Sequence, residues 1–137
     1  MSEVMLETPQ HGWSELHMGT WSDRLSYLDD PAFDLLWAVE WALRTKQPSA
    51  VRFDAEGYEY IIVFDWYDQF VITDRDTPGL TRIGIKLEDI AAGLVRDIRK
   101  DLDLWAAFPA DVEDSQSELE DRKIDLGILL SVVEKRL

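Results

Sequence analysis

The sequence predicts an α+β fold, with an antiparallel sheet of about four strands and helices packed on one face. Three observations carry this prediction. Residues 31–46 repeat apolar side chains at helical spacing, residues 50–86 alternate in the manner of strands, and residues 87–137 return to helical spacing. A chain of 137 residues with 46% apolar and 31% charged side chains suits one domain, 1–137, with a core of its own.

Residues 1–12 have no period and read as a loose lead-in that ends at His11-Gly12. From Trp13 to Leu28 the pattern is mixed, and one or two short strands or an irregular segment fit equally. Asp29-Asp30-Pro31 then starts a helix. Asp30 is placed to cap the free amides, and Pro31 suits a first position that needs no N–H. Phe33, Leu36, Trp37, Val39, Trp41 and Leu43 give helix 31–46 a wide apolar stripe, and Pro48 stops it. On this reading Trp37 and Trp41 belong to the core, as does Trp105 further on.

In the sheet region, Val51 and Phe53 alternate with Arg52 and Asp54, and Ala55-Glu56-Gly57 supplies a turn. The run Tyr58–Trp66 has two distinct faces. Tyr58, Tyr60, Ile62, Phe64 and Trp66 point one way, and Glu59, Ile61, Val63 and Asp65 point the other. Tyr67-Asp68 turns into a strand at 69–73, Thr77-Pro78-Gly79 turns again, and Leu80–Lys86 makes a further strand. Leu87, Ile90, Ala91, Leu94, Val95, Ile98, Leu102 and Trp105 predict one helix over 87–106, ended by Phe108-Pro109. A last helix carries Leu126, Leu129, Leu130, Val133 and Leu137. Its start is marked by Ser117 with Glu120 or by Ser115 with Glu118 at capping-box spacing.

The net charge is −14, and it is not spread evenly. Residues 53–74 hold six acids and no Lys or Arg, and residues 101–121 hold eight acids and no base. The other 14 of the 28 acids balance the 14 bases. A clustered field of one sign steers partners of the opposite sign. In the second window the acids of 111–121 complement the dipole of the last helix, whereas Asp101 and Asp103 sit at a helix C-terminus, where negative charge is disfavoured. In the first window the acids alternate with seven aromatics on strands and turns. The candidate partner-binding residues are therefore Asp54, Glu56, Glu59, Asp65, Trp66, Tyr67, Asp68 and Asp74, joined by Asp111, Glu113 and Asp114. Trp66 and Tyr67, flanked by Asp65 and Asp68, form either a sheet face under a helix or a contact platform.

Catalytic signatures are missing. Without Cys there is no thiol nucleophile, thiolate metal site or disulfide framework. The sequence has no nucleophile elbow and no phosphate-binding glycine loop. Its two His, His11 and His17, lie in the weakly patterned N-terminal part, where Ser14 and Ser22 read as surface residues. Asp74-x-Asp76-x-x-Gly79 has the opening of a calcium loop, but Ile85 stands where the closing glutamate belongs. No catalytic residue, metal or cofactor is predicted, and the chain reads as a non-enzyme. It has no apolar run long enough for a membrane span and no basic-then-apolar leader, so a cytoplasmic protein is expected. Its acidity disfavours direct binding to nucleic acid or anionic lipid.

Small size, acidity and the segment VRFDAEGYEYIIVFDWYDQFVI (Val51–Ile72) beside flanking helices resemble the immunity proteins of bacterial contact-dependent inhibition and polymorphic toxin systems. The resemblance is one of general character and carries no diagnostic motif. It implies a cytoplasmic antitoxin whose partner is a basic protein, a nuclease-type toxin domain neutralised by occlusion. Two other readings stand beside it: a nucleic-acid-mimic inhibitor of DNA-handling enzymes, and a small metal-assisted hydrolase.

Overall fold

The computed structural model describes residues 3–74, 79–112 and 116–137. Among these residues, two antiparallel sheets and four helices make up the α+β fold. The first sheet holds β1 (Val4–Leu6), β2 (Trp13–Met18) and β3 (Trp21–Ser26), paired in chain order. After α1 (Pro31–Thr45) comes the second sheet: β4 (Ser49–Asp54), β5 (Glu59–Phe64), β6 (Phe70–Asp74) and β7 (Gly79–Arg82), also in chain order. Helices α2 (Leu87–Lys100), α3 (Leu102–Ala106) and α4 (Gln116–Glu134) complete the chain.

The four-stranded sheet is the predicted one; the three-stranded sheet corrects the reading of 1–12 as a loose lead-in. Val4 and Leu6 are buried, and Val4 pairs with Met18 and Leu6 with Leu16. Three residues are too few to show a period, so packing alone reveals this strand. Helix α2 secures it. The Leu6 N–H donates to Asp97 Oδ2 at 2.8 Å, and the Arg96 guanidinium donates to the Val4 carbonyl at 2.7 Å. Helix side chains thereby satisfy backbone groups that an edge strand would leave open. Burial alone would raise the pKa of the Asp97 carboxyl. Hydrogen bonds from Arg96 and Leu6 outweigh that effect, and its pKa is lowered. At Gly93 the helix backbone comes so close that a Cβ there would lie 2.9 Å from Val4 Cβ.

Three helix readings also change. The expected single helix over 87–106 breaks at Asp101 (φ −118°, ψ 38°), so Asp103 occupies the first turn of a new helix. The break removes the dipole conflict assigned to Asp103, which now opens α3, whereas Asp101 remains the C-cap of α2. Asp30 makes no capping bond; its carboxylate receives two bonds from Arg122, both 3.1 Å. Helix α4 already includes Gln116, which places Ser117 inside it, and Ser115 lies outside the described residues. The strand expected over 80–86 stops at Arg82, the end of its pairing with β6.

The core lies between the sheets and helices. It takes Leu35, Leu36, Val39 and Ala42 from α1, Phe53, Tyr60, Ile62 and Phe64 from the second sheet, and Ile90, Leu94, Ile98, Leu126 and Val133 from α2 and α4. Gly93→Ala tests the close approach of α2 to β1. Helix propensity alone favours alanine by roughly 1 kcal/mol. Overpacking against Val4 should nevertheless make the variant less stable by about 1–3 kcal/mol in urea unfolding. A gain in stability would show that β1 is not held against Gly93.

Candidate functional site

The register of the second sheet brings three predicted residues together. Asp54 pairs with Glu59, and Glu59 pairs with Asp74, so one carboxylate from each of three neighbouring strands stands in a row across the end of the sheet. Like charges placed directly opposite one another are destabilising. Arg52 relieves part of that repulsion, with its guanidinium 3.4 Å from Glu59. Asp54 is held at both levels: its Oδ1 accepts from the Glu56 N–H at 2.8 Å, and its own N–H donates to Asp29 Oδ2 at 2.7 Å. Glu56 caps the turn with φ 56° and is exposed.

The same face continues from the row as apolar surface. Side chains alternate across a strand, so the outward set is Ala50, Arg52 and Asp54; Glu59, Ile61 and Val63; Phe70, Ile72 and Asp74; Leu80 and Arg82. Behind them Val51, Phe53, Tyr60, Ile62, Phe64 and Val71 fill the core. Ile72 is 42% and Leu80 70% exposed, while Ile61, Val63 and Phe70 are half-buried. An antiparallel sheet covered on one side ordinarily carries polar residues on the other. Here β5 is apolar on both faces, and five apolar side chains lie next to the carboxylate row.

Asp65, Trp66, Tyr67 and Asp68 are at the opposite end of the sheet, where β5 leads into β6. Their charge is used locally. Asp65 Oδ1 accepts from the Trp66 N–H at 2.7 Å, and Asp68 caps the Gln69 N–H and pairs with Arg82. Trp66 is packed partly into the core and carries the Lys46 ammonium over its ring at 4.9 Å. Tyr67, 89% exposed, is the member of this group that faces solvent most fully. Glu113 and Asp114 lie outside the described residues. Asp111 is exposed beside Asp30, whose pKa it helps to raise.

Asp30 belongs to an acidic cluster that the sequence disguises as a helix start. Burial raises Asp29, with Asp54 and Glu59 adding to the effect across the joint. Burial also raises Asp30 despite its Arg122 partner. Asp34, one turn into α1, is pushed up to about 6 by burial and then by the charges of Asp30 and Asp29. Asp111 thus acts on Asp30, and Asp29 is the member of this cluster that feels Asp54 and Glu59 of the row. The signal in the sequence was the triple acid Asp29, Asp30 and Asp34, but capping logic already accounted for the first two.

A second miss concerns α1. Trp37 is 57% and Trp41 47% exposed, not core. The buried line of the helix runs through Ala32, Leu35, Leu36, Val39, Ala42 and Leu43, and Trp37 and Trp41 fall roughly 160° from its centre, on the opposite face. They stand with Phe33 as an i, i+4 ridge, with Arg44 stacked on Trp41 at 5.2 Å. Only Trp105 of the three is fully buried.

Among the described residues, Glu7, Glu15 and His17 form the one group whose donor atoms lie close enough to share a metal ion, all within 4.8 Å. His17 Nε2 is 2.5 Å from Glu7 Oε2, so the imidazole already has a carboxylate partner. Ser14 is turned to the Glu7 carbonyl and Ser22 pairs across from His17, leaving no serine–histidine hydrogen bond among the described residues. Of the calcium-like loop, Asp76 lies outside the described residues.

The raised pKa of Asp34 has a definite sign. Its folded value lies above the unfolded one, so the stability it adds is present at low pH and is lost as pH rises through about 6. Asp34→Asn should therefore stabilise the protein at pH 7.5, by about 1 kcal/mol after allowance for solvent screening. The gain should vanish below pH 4 in thermal melts of the two proteins; an equal gain at both pH values would refute the charge explanation. No helix among the described residues is long and apolar enough to cross a membrane. No protein-family model, no curated protein and no solved structure matches this chain.

Proposed function

We propose that the protein is a non-enzymatic acidic binder that neutralises a basic protein by covering it, in the manner of an immunity protein paired with a nuclease-type bacterial toxin. The observation that carries this reading is the outward face of the second sheet. Exposed Ile72 and Leu80, with half-buried Ile61, Val63 and Phe70, lie on one face beside the opposed carboxylates Asp54, Glu59 and Asp74. Exposed apolar surface with a charged rim is the common anatomy of a protein-binding site. The carboxylate row costs the isolated fold some stability, and such local costs concentrate where a protein functions.

The two parts divide the work. The row and the neighbouring Asp29, Asp30, Asp34 and Asp111 attract a basic partner at long range and orient it. Contact with the apolar strands then slows dissociation, because desolvated apolar anchors hold most of the binding energy of an interface. A cytoplasmic site of action is part of the proposal, and the cysteine-free sequence is compatible with it.

The test is to produce the protein together with the products of its neighbouring genes and to measure association with any basic one among them. In Asp54→Asn/Glu59→Gln/Asp74→Asn the turn acceptor at position 54 is kept and the opposed charges are gone. The triple variant should fold with a higher melting temperature, associate at least tenfold more slowly at low salt, and show a weaker dependence of rate on ionic strength. A separate Ile72→Lys/Leu80→Lys variant should raise the dissociation rate. Unchanged binding in both variants, or the absence of any basic partner, would overturn the reading.

A further inference from the structure

A groove of about 630 Å³ runs between α1 and the free edge of β4. Its size falls within the roughly 300–1,000 Å³ of ligand clefts. One wall is the Trp37–Trp41 ridge with Asp34, and the other is β4 from Ser49 to Arg52.

Among the described residues, the β4 wall is a free main-chain edge. The Asp54 N–H donates to Asp29 and its carbonyl accepts from the Ser26 hydroxyl at 2.8 Å, so both groups point away from β5. In an antiparallel ladder this direction recurs every second residue. The N–H and C=O of Arg52 and Ala50 therefore also point away from β5, into the groove. The turn bond from the Ala55 N–H to the Tyr58 carbonyl, 2.9 Å, fixes the same phase, with Phe53 and Val51 bonded to β5. An edge that presents alternating donors and acceptors is a template for one more strand.

The other wall says what kind of strand. No cation reaches Asp34 among the described residues, whereas Glu40 is held by Arg44 at 2.7 Å and by Arg136 at 3.6 Å. The Arg52 side chain is turned to Glu59. Arg44 over Trp41 shows that this ridge accepts a guanidinium, and the ring of Trp37 has no such partner among the described residues. A second copy of the chain is disfavoured as occupant, since each copy carries a net charge of −14.

We propose that this groove takes an extended, positively charged segment of the partner as an added strand, hydrogen-bonded to Ala50 and Arg52 and anchored on Trp37 and Trp41. The inference rests on the reading of the chain as a binder of a basic protein, and it names the mode of contact. Alternate side chains of the segment would face Trp37 and Asp34, which selects for Arg or Lys at every second position.

The experiment is amide exchange by NMR on the full chain with a synthetic heptapeptide of alternating arginine and valine, ends blocked. A control peptide is N-methylated along one edge. In the free protein the Ala50 and Arg52 amides should exchange at least tenfold faster than those of Val51 and Phe53. The peptide should slow them tenfold or more, and the N-methylated peptide should not. Ala50→Pro removes a donor without removing a ladder bond, so it should keep the fold and abolish the protection. Trp37→Ala/Trp41→Ala should weaken binding at least tenfold.

Equal protection by both peptides, or none by either, overturns the proposal. A concentration-dependent dimer lost in Ala50→Pro also overturns it, in favour of a second copy. The carboxylate-row triple variant separates the two readings. If it leaves peptide protection intact but the natural partner ignores the row, the sheet face is wrong and the groove stands.

Discussion

The two sheets are separate ladders, and the joint at Asp54 holds them together. Ser26 at the end of β3 donates its hydroxyl to the Asp54 carbonyl, and Asp29 accepts from the Asp54 N–H. Arg24 adds bonds to the Ala55 and Glu56 carbonyls, at 2.8 and 3.2 Å, and Tyr60 returns its hydroxyl to the Arg24 carbonyl at 2.8 Å. These bonds do more than fasten. They fix which backbone groups of β4 face outward, and they place Asp29 beside the carboxylate row. The open edge and the acidic end of the sheet therefore share one cause. A slip of one residue in β4 would turn Asp54 inward and bury it.

Helix α2 plays the corresponding part at the other side of the molecule. Its stripe fills the core, its glycine lets β1 approach, and Asp97 and Arg96 satisfy the strand's backbone. The first sheet is closed by a helix along that flank, whereas the second keeps an open edge and an open face. The asymmetry concentrates uncovered surface on one side, where apolar area, unpaired main chain and acidic field lie next to each other. Burial raises the pKa of Asp29, Asp30 and Asp34 against the charge they carry, and a basic partner would relieve that cost.

Much of this is legible in the sequence wherever a pattern runs for several residues. The 3.6-residue stripe of 87–105 predicts the start and the buried face of α2 but runs on across the break at Asp101, whereas the alternation of 51–66 predicts the β4–β5 hairpin to within a few residues. The turn at Ala55-Glu56-Gly57 follows from its residue types, with Glu56 and Gly57 both at positive φ. Short or ambiguous patterns hide the rest. Val4–Leu6 is too brief to show a period, and the residues of Trp13–Ser26 that alternate most clearly include buried Ser14, Asp23 and Ser26. Trp37 and Trp41 mislead because hydrophobicity marks a residue's tendency to be buried, whereas the angular position of the core decides which side of α1 is covered.

The candidate site divides along the same line. From the sequence alone come the acidic balance, its concentration in two stretches, the absence of thiols and the alternation that sends Glu59, Ile61 and Val63 to one face. Those properties reside in residue identity and local period. The tertiary structure decided the rest: that Asp54, Glu59 and Asp74 stand opposite one another, that Asp65 and Asp68 do not join them, and that the helices cover only the other face of the sheet. Register pairs residues distant in sequence, and packing selects which apolar surface stays open. Neither is encoded within any window of neighbouring residues, because both depend on contacts that exist only once the whole chain has folded.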